Sequence, residues 1–191
     1  MTRSRRVCAA LAALLACGAL SACGKHESEG PVRTAETEGI YLDVSDLKYQ
    51  VQVSRQLNPR DVQDRAYLLG IPKAEQELKA NEVWFGVFLR VQNETGEALQ
   101  PSADIRITDT QEQVYKPLEL GRENLYAYRA NDPIPPRETL PLLDSPGYDT
   151  PTRGALLLFK LTLTGLNNRP LEMKIEGRKV PQQTGIVNLD V

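Results

Sequence analysis

Residues 82–93 read EVWFGVFLRVQN, the densest apolar stretch of the chain after its N-terminal region. Apolar and polar side chains alternate towards the end of this stretch, which is the period-two pattern of a β-strand. Near its start the stretch is apolar on both faces, because Trp84 and Phe88 lie opposite the series Val83, Phe85, Val87, Leu89 and Val91. We therefore expect a central strand that is covered on both sides.

Shorter segments with strand-like patterns lie on either side of it. Alternation predicts strands over residues 47–54, 103–109, 113–116, 138–142, 154–163, 171–176 and 186–191. We expect the sixth of these to form a hairpin with the fifth across Asn167-Asn168-Arg169-Pro170, and the last to be an edge strand. Residues 59–68 predict a short helical turn with Asn58 as its N-cap.

About seven short strands, polar turns and no long helix predict two packed antiparallel sheets. The layout from Tyr41 to Ile175 resembles the telokin-like, immunoglobulin-type domain of unknown function found in bacterial lipoproteins. The resemblance rests on residues 84–93, on Ile105-Arg106-Ile107-Thr108-Asp109 with Tyr115-Lys116-Pro117, and on the run from Gly154 to Phe159. It implies an all-β fold, an immunoglobulin-like antiparallel β-sandwich with a short helical insertion after the first long strand.

The chain is also similar to a group of uncharacterised actinobacterial membrane proteins. This similarity rests on Ser54-Arg55-Gln56-Leu57-Asn58-Pro59, Asp64-Arg65-Ala66-Tyr67-Leu68 and Asn168-Arg169-Pro170-Leu171-Glu172. It implies no particular activity.

The N-terminus resembles a bacterial lipoprotein signal peptide. Arg3, Arg5 and Arg6 precede an apolar run that ends in Leu20-Ser21-Ala22-Cys23. The resemblance implies that Cys23 receives a diacylglyceryl group and becomes the mature N-terminus. An apolar run from Val7 to Leu20 is short for a membrane span, which needs about 20 residues.

Three segments follow from this leader. Residues 1–22 are the predicted signal peptide, residues 23–39 a flexible polar tether, and residues 40–191 the sandwich domain. Cys8 and Cys17 leave with the signal, so the mature chain keeps one cysteine and forms no internal disulfide. Acyl chains such as palmitate would hold the domain at the extracytoplasmic face of the cell membrane.

Charge and composition exclude several functions. Loss of Arg3, Arg5 and Arg6 takes 23 Lys and Arg to 20, against 25 Asp and Glu, and no basic run remains, so we expect no nucleic-acid partner. His26 is the only histidine and lies in the predicted tether, which argues against Ser-His-Asp, Cys-His and histidine-metal sites in the domain. We predict no cofactor, no metal and no catalysis.

Carboxylates are the remaining candidates for chemistry. Asp104, Asp109 and Glu112 are close in sequence, and Asp144 and Asp149 flank a turn. Neither group has the spacing of a calcium loop. We interpret them as solvated turn residues.

Tyr126, Tyr128 and Arg129 lie in a loop-rich region and are the predicted partner-binding residues, because tyrosine and arginine are enriched in binding hot spots. The alternative is that one tyrosine packs under the loop as part of the core and the other covers its edge. The insertion from Asn58 to Pro72 is a second candidate. We expect a lipid-anchored, non-enzymatic module that engages another envelope protein; a carrier of a small ligand or cell-wall component, and a carboxylate-based hydrolase, are the alternatives.

Overall fold

The computed structural model describes residues 32–191. Two sheets pack face to face, and this confirms the predicted β-sandwich. The predicted signal peptide, Cys23 and His26 lie outside the described residues.

The first sheet has five strands. Their order is β1 (Val32–Ala35), β10 (Thr184–Leu189), β9 (Leu171–Glu176), β5 (Asp104–Thr108) and β6 (Val114–Tyr115). β1 and β10 run parallel, and the other pairs in this sheet are antiparallel.

The second sheet is built around β4 (Glu82–Asn93), the strand predicted to be central. Its order is β2 (Leu42–Val44), β3 (Leu47–Leu57), β4 and β7 (Thr139–Leu140). β8 (Ala155–Thr162) pairs with β4 from Glu82 to Leu89, on the same side as β7, which pairs with Val91 and Gln92. All these pairs are antiparallel.

The two faces of β4, which the sequence showed to be apolar near the start of the strand, belong to two apolar clusters. Phe85, Val87 and Leu89 belong to the core between the sheets. Trp84 and Phe88 belong to a second cluster on the outer face of the second sheet. Helix α1 (Val62–Tyr67) covers that outer cluster through Tyr67, which is 1% exposed and packs edge-on against Phe88. A short 3-10 turn, Lys73–Glu75, follows.

The predicted helical insertion is confirmed, but its predicted cap is wrong. Asp61, and not Asn58, is the N-cap, because its side chain accepts hydrogen bonds from the N–H groups of Gln63 and Asp64. Asn58 instead accepts from the N–H of Arg60 in the turn before the helix.

The predicted hairpin over Asn167-Asn168-Arg169-Pro170 is wrong. β8 pairs with β4 in the second sheet, whereas β9 pairs with β5 and β10 in the first. Helix α2 (Leu163–Asn167), capped by Thr162, carries the chain from one sheet to the other. The short connection between β8 and β9 therefore links the two sheets instead of joining two neighbouring strands of one sheet.

Two further predictions about the chain ends are corrected by the same strand. β10 is not at the edge, because β1 pairs with it on the side away from β9. The predicted tether is too long, since Val32–Ala35 forms β1 and Ala35 is 1% exposed. Pairing with β10 and burial of one small side chain hold this polar segment in the fold.

Candidate functional site

A cavity of about 540 Å³ lies at the open end of the first sheet, beside β5. We call it the β5-edge cavity. It is lined by residues 102–105 from the start of β5, by residues 116–120 and Arg122 after β6, by residues 127–132, and by Leu156 and Leu157 of β8. Its volume is within the range of about 300–1,000 Å³ that is usual for ligand pockets.

The cavity exists because β6 is too short to cover β5. β6 pairs only with Ile107 and Thr108. Continuing the register from Ile107 and Tyr115 brings Pro117 opposite Ile105. Proline has no N–H to donate to a strand and interrupts the ladder. The first part of β5 is left without a neighbour on this side.

The main chain of Ile105 points into this gap. The N–H of Asp109 donates to Gln113 O at 3.2 Å, on the β6 side, and Gly177 N–H donates to Gln183 O at 2.7 Å, on the far side of β9. Successive residues of an antiparallel strand direct their N–H and C=O groups to opposite neighbouring strands. Both bonds lead to the same assignment of which β5 residues face β9 and which face β6. Ile105 therefore directs its N–H and C=O away from β9, towards the cavity, while its side chain is 4% exposed.

The opposite wall of the cavity is a loop that already occupies the free edge of β8. Leu118 N–H donates to Leu158 O at 2.7 Å, and Tyr128 N–H donates to Leu156 O at 2.8 Å. Leu156 N–H returns a bond to Tyr126 O at 2.7 Å. Of the two strand edges beside the cavity, β8 is thus satisfied, and β5 is the one that remains open.

The structure separates the three predicted partner-binding residues. Tyr128 and Arg129 line the β5-edge cavity. Tyr126 lies outside its lining and packs edge-on against Tyr67, with ring centroids 4.9 Å apart. Tyr126 thus helps to cover the outer cluster, which is the alternative considered from the sequence.

Tyr128 and Arg129 shape the cavity wall through bonds to the main chain. The hydroxyl of Tyr128 donates to Ser102 O at 2.8 Å. The Arg129 guanidinium donates to three carbonyls, those of Leu120, Gly121 and Asn124, at 2.7 to 3.2 Å. These bonds fix the loop, and the donors of Arg129 are largely used by it.

A second tyrosine supports the same corner. Tyr49 of β3 is 2% exposed, and its hydroxyl accepts from Ser102 N–H at 2.8 Å. Burial raises the pKa of Tyr49 to about 12. Burial also raises the pKa of Tyr128 well above its ordinary value, and neighbouring Tyr49 adds to the rise. Both phenols are neutral donors and acceptors that hold Ser102 in place.

Arg129 was predicted from the sequence and Asp104 was considered there, but the other charged side chains of the cavity were missed: Lys116, Glu119, Arg122 and Asp132. Lys116 is exposed, and within residues 32–191 it has no carboxylate within 4.0 Å. Arg122 and Asp132 form an exposed ion pair of 3.6 Å across the mouth. Asp104 pairs with Arg106. The sequence signal was Pro117, which directly follows the predicted strand 113–116 and lies two residues after the end of β6, where pairing stops.

The second predicted candidate, the insertion from Asn58 to Pro72, has a clear packing role. Its Tyr67 and Ile71 belong to the outer apolar cluster. The carboxylate of Asp64 receives two hydrogen bonds from Arg55 and one from Asn58 N–H. The insertion is thereby fastened to β3.

The sequence-level carboxylate groups do not converge. Asp109 accepts from the N–H groups of Gln111 and Gln113 and so closes the β5–β6 turn. Within residues 32–191, three or more His, Cys, Asp or Glu side chains nowhere gather in a way that could hold a metal ion. In the same part of the chain, no helix has the length and apolar character needed to cross a membrane.

No family model matches the chain, and no curated protein matches it. Two solved structures are similar in shape. The yjhA protein from Bacillus subtilis is 6% identical with a TM-score of 0.49, over 82% of this chain and 100% of its own. An uncharacterized beta-sandwich protein from Clostridium difficile 630 is 10% identical with a TM-score of 0.46, over 83% of this chain and 97% of its own.

Proposed function

We propose that the protein is a non-catalytic binding module, anchored by lipid at Cys23, that takes an extended segment of another envelope protein into the β5-edge cavity. The open edge of β5 carries the proposal. An extended peptide adds to a sheet by pairing with free main-chain groups, and side-chain pockets supply the specificity. The N–H and C=O of Ile105 are such groups, and the cavity beside them gives room for a partner strand.

The charges around the cavity support a polar peptide as the occupant. Lys116, Arg122 and Arg129 contribute positive charge, and Asp104, Glu119 and Asp132 contribute negative charge, in equal number. Charges of both signs at an interface set the register and suppress wrong partners more than they add affinity. This lining fits a polypeptide segment with its own mixed charges.

Site-specific photo-crosslinking in cells tests the proposal on the full chain. A photoreactive residue at Ala103 and, separately, at Lys116 should capture the same protein, since both positions line the cavity. Thr110 is exposed in the turn at the other end of β5 and is the matched control position. Equal capture from position 110 would contradict the assigned interface.

A backbone variant distinguishes strand pairing from side-chain contact. Ala103→Pro removes the N–H of the residue directly before β5, which lines the cavity and is exposed, so a partner strand can no longer pair with that group. We expect unchanged thermal unfolding and strong loss of capture. Full capture by a folded Ala103→Pro protein would show that the partner does not pair with this edge.

The anchor has a separate test. Cys23→Ala should remove the protein from the membrane fraction or leave uncut precursor. Normal processing and membrane retention would contradict the lipid anchor while leaving the cavity proposal open to its own test.

A small-ligand or cell-wall-component carrier is the second candidate, because the cavity volume of about 540 Å³ also suits a compact ligand. It predicts a bound small molecule on native mass spectrometry of protein purified from its host. It also predicts no protein adduct from positions 103 and 116.

A further inference from the structure

A second, smaller cavity lies on the other sheet, away from β5. Its volume is about 250 Å³, and it is lined by Arg90, Pro141, Tyr148, Asp149 and Arg153. Arg90 lies where β4 changes partner, because β8 pairs up to Leu89 and β7 begins at Val91. Successive strand residues point to opposite faces, so Arg90 shares the outer face with Trp84 and Phe88.

The loop from Pro141 to Gly154 forms the rest of this cavity and is closely fitted to β4. Gly154 has no room for a side chain, since a Cβ there would lie 2.6 Å from the carbonyl carbon of Phe88. Arg153, directly before it, has φ +45°, a conformation that costs a residue with a side chain about 1–2 kcal/mol. Its N–H donates to Thr150 O at 3.1 Å. The loop thus holds Arg153 beside Arg90 in an unfavourable backbone conformation.

The two guanidinium groups of this cavity lack partners within the described part of the chain. In residues 32–191, neither Arg90 nor Arg153 has a carboxylate within 4.0 Å or a side-chain hydrogen bond to an acceptor. Arg90 only approaches the ring of Tyr148, at 5.8 Å from the centroid. By contrast, Arg55 forms a bidentate pair with Asp64.

Unpartnered arginines in a cavity favour an anionic ligand. Each guanidinium offers five N–H donors in a planar arrangement that matches carboxylate and phosphate oxygens. Two arginines against the single carboxylate of Asp149 leave the lining with one net positive charge. The volume is below the range for drug-sized ligands, which limits the ligand to one small charged group.

We propose that Arg90 and Arg153 bind an oxyanion, a phosphate or a carboxylate group, with Tyr148 as one wall of the site. Asp149 opposes the anion and lowers its affinity. The site is separate from the β5-edge cavity and shares no lining residue with it.

Titration of the purified full chain with inorganic phosphate and, separately, with sodium acetate tests the site. Binding is followed by calorimetry and by the side-chain Nε–H signals of the arginines in NMR spectra. We expect saturable binding with one site per chain, at which the signals of Arg90 and Arg153 shift. The anion that binds more tightly identifies the preferred group, and equal affinities indicate a general oxyanion site.

Four variants assign the binding to these residues. Arg90→Gln and Arg153→Gln should each lower affinity by about tenfold or more, as expected for loss of charge-assisted hydrogen bonds. Asp149→Asn should raise affinity severalfold, because a like charge is removed. Arg60→Gln is the matched control: Arg60 is exposed and lies outside the cavity lining, and its loss should leave affinity within about twofold.

Two results would overturn the proposal. One is the absence of saturable binding by both anions at low salt. The other is unchanged affinity in Arg153→Gln, which changes an exposed side chain and should fold normally, as its thermal unfolding would show.

Discussion

The ion pair between Asp64 and Arg55 fastens the α1 insertion to β3, and the substitution Asp64→Asn measures how strongly. Asp64 is 4% exposed. One of its oxygens lies 2.6 Å from Arg55 Nη2, and the other lies 3.1 Å from Arg55 Nη1 and 2.7 Å from Asn58 N. The carboxylate therefore accepts three hydrogen bonds, from a side chain of β3 and from the main chain of the first residue after β3.

The expected loss of stability is about 2 kcal/mol. A hydrogen bond to a charged group contributes about 1.5–3 kcal/mol when it is well protected. The Arg55 side chain is 35% exposed, so water can replace some of the hydrogen bonds that it loses. The contribution of the ion pair is therefore smaller than the sum of its hydrogen bonds. In Asp64→Asn, the side-chain oxygen of asparagine still accepts hydrogen bonds, but its NH2 group lies against an N–H donor that the second carboxylate oxygen had accepted from. For a domain of this size, the loss corresponds to a fall in Tm of about 4–8 °C.

The same substitution has a defined pH dependence. Burial raises the pKa of Asp64, but the hydrogen bonds from Arg55 and Asn58 outweigh it and hold the pKa below its ordinary value. The folded carboxylate thus stays ionised where the unfolded one binds a proton, so its contribution is present above about pH 4. It is lost as pH falls through the folded-state pKa. The stability gap between wild type and Asp64→Asn should be constant near neutral pH and narrow below about pH 4.

Urea unfolding followed by the fluorescence of Trp84, the only tryptophan, is the assay. Trp84 is 4% exposed and lies in the cluster that the insertion covers. Asp61→Asn is the control, because asparagine caps a helix about as well as aspartate and should cost less than about 0.5 kcal/mol. An Asp64→Asn protein as stable as that control, or a gap that does not narrow in acid, would refute the assigned ion pair.

Three further predictions concern the packing around Gly154, the hydrogen bond of Tyr128 and the ionisation of Tyr49. Gly154→Ala should destabilise the protein by about 3 kcal/mol, because its Cβ would meet the main chain of Phe88; thermal unfolding near the wild-type temperature would contradict that contact. Tyr128→Phe should lower the free energy of unfolding by about 1 kcal/mol, because a hydroxyl that donates to a carbonyl is lost. Tyr126→Phe should be nearly neutral, because the Tyr126 hydroxyl has no hydrogen bond among the described residues. Equal losses of stability in urea unfolding would argue against this difference. The free energy of unfolding should fall as pH rises above about 10, because tyrosines of the unfolded chain ionise there while folded Tyr49 stays neutral up to about pH 12. If ultraviolet absorbance of the folded protein showed every tyrosine ionising near pH 10, the burial of Tyr49 would be contradicted.

Within the described residues, local pattern was enough to predict eight of the ten strands, β3 to β10, but not their partners. The two-faced character of residues 82–93 correctly predicted a central strand, because the side-chain period of a strand is a property of adjacent residues. The pairing of β8 with β4 and of β9 with β5 depends on contacts between distant segments. The short helix α2 decides which sheet the chain enters. Gly165 in that helix faces the Tyr115 hydroxyl, a contact that the sequence does not reveal.

β1 shows a different limit of sequence reading. It is four residues long, Val-Arg-Thr-Ala, and lies within a mostly polar stretch that is typical of a linker, yet it pairs with β10 at the far end of the chain. An edge strand needs main-chain pairing on one side and very few buried side chains, so its composition carries little signal. The candidate site was predicted in part for a similar reason. Tyr128 and Arg129 were found by residue type, but the open edge of β5 is a property of the sheet.

The position of β1 also limits where a partner can bind if Cys23 carries the proposed lipid. Only Gly24 to Pro31 then separate the anchor from the domain, a span of roughly 30 Å when fully extended. Val32, Thr184, Glu176 and Asp104 are register partners across four neighbouring strands, so the start of β1 and the start of β5 lie at the same end of the sheet, about 14 Å apart. The β5-edge cavity is therefore at the end of the domain where the tether enters. A segment paired with the open edge of β5 lies one further strand spacing away, so it must lie within about 50 Å of the membrane surface, which favours a membrane protein or another tethered protein as the partner.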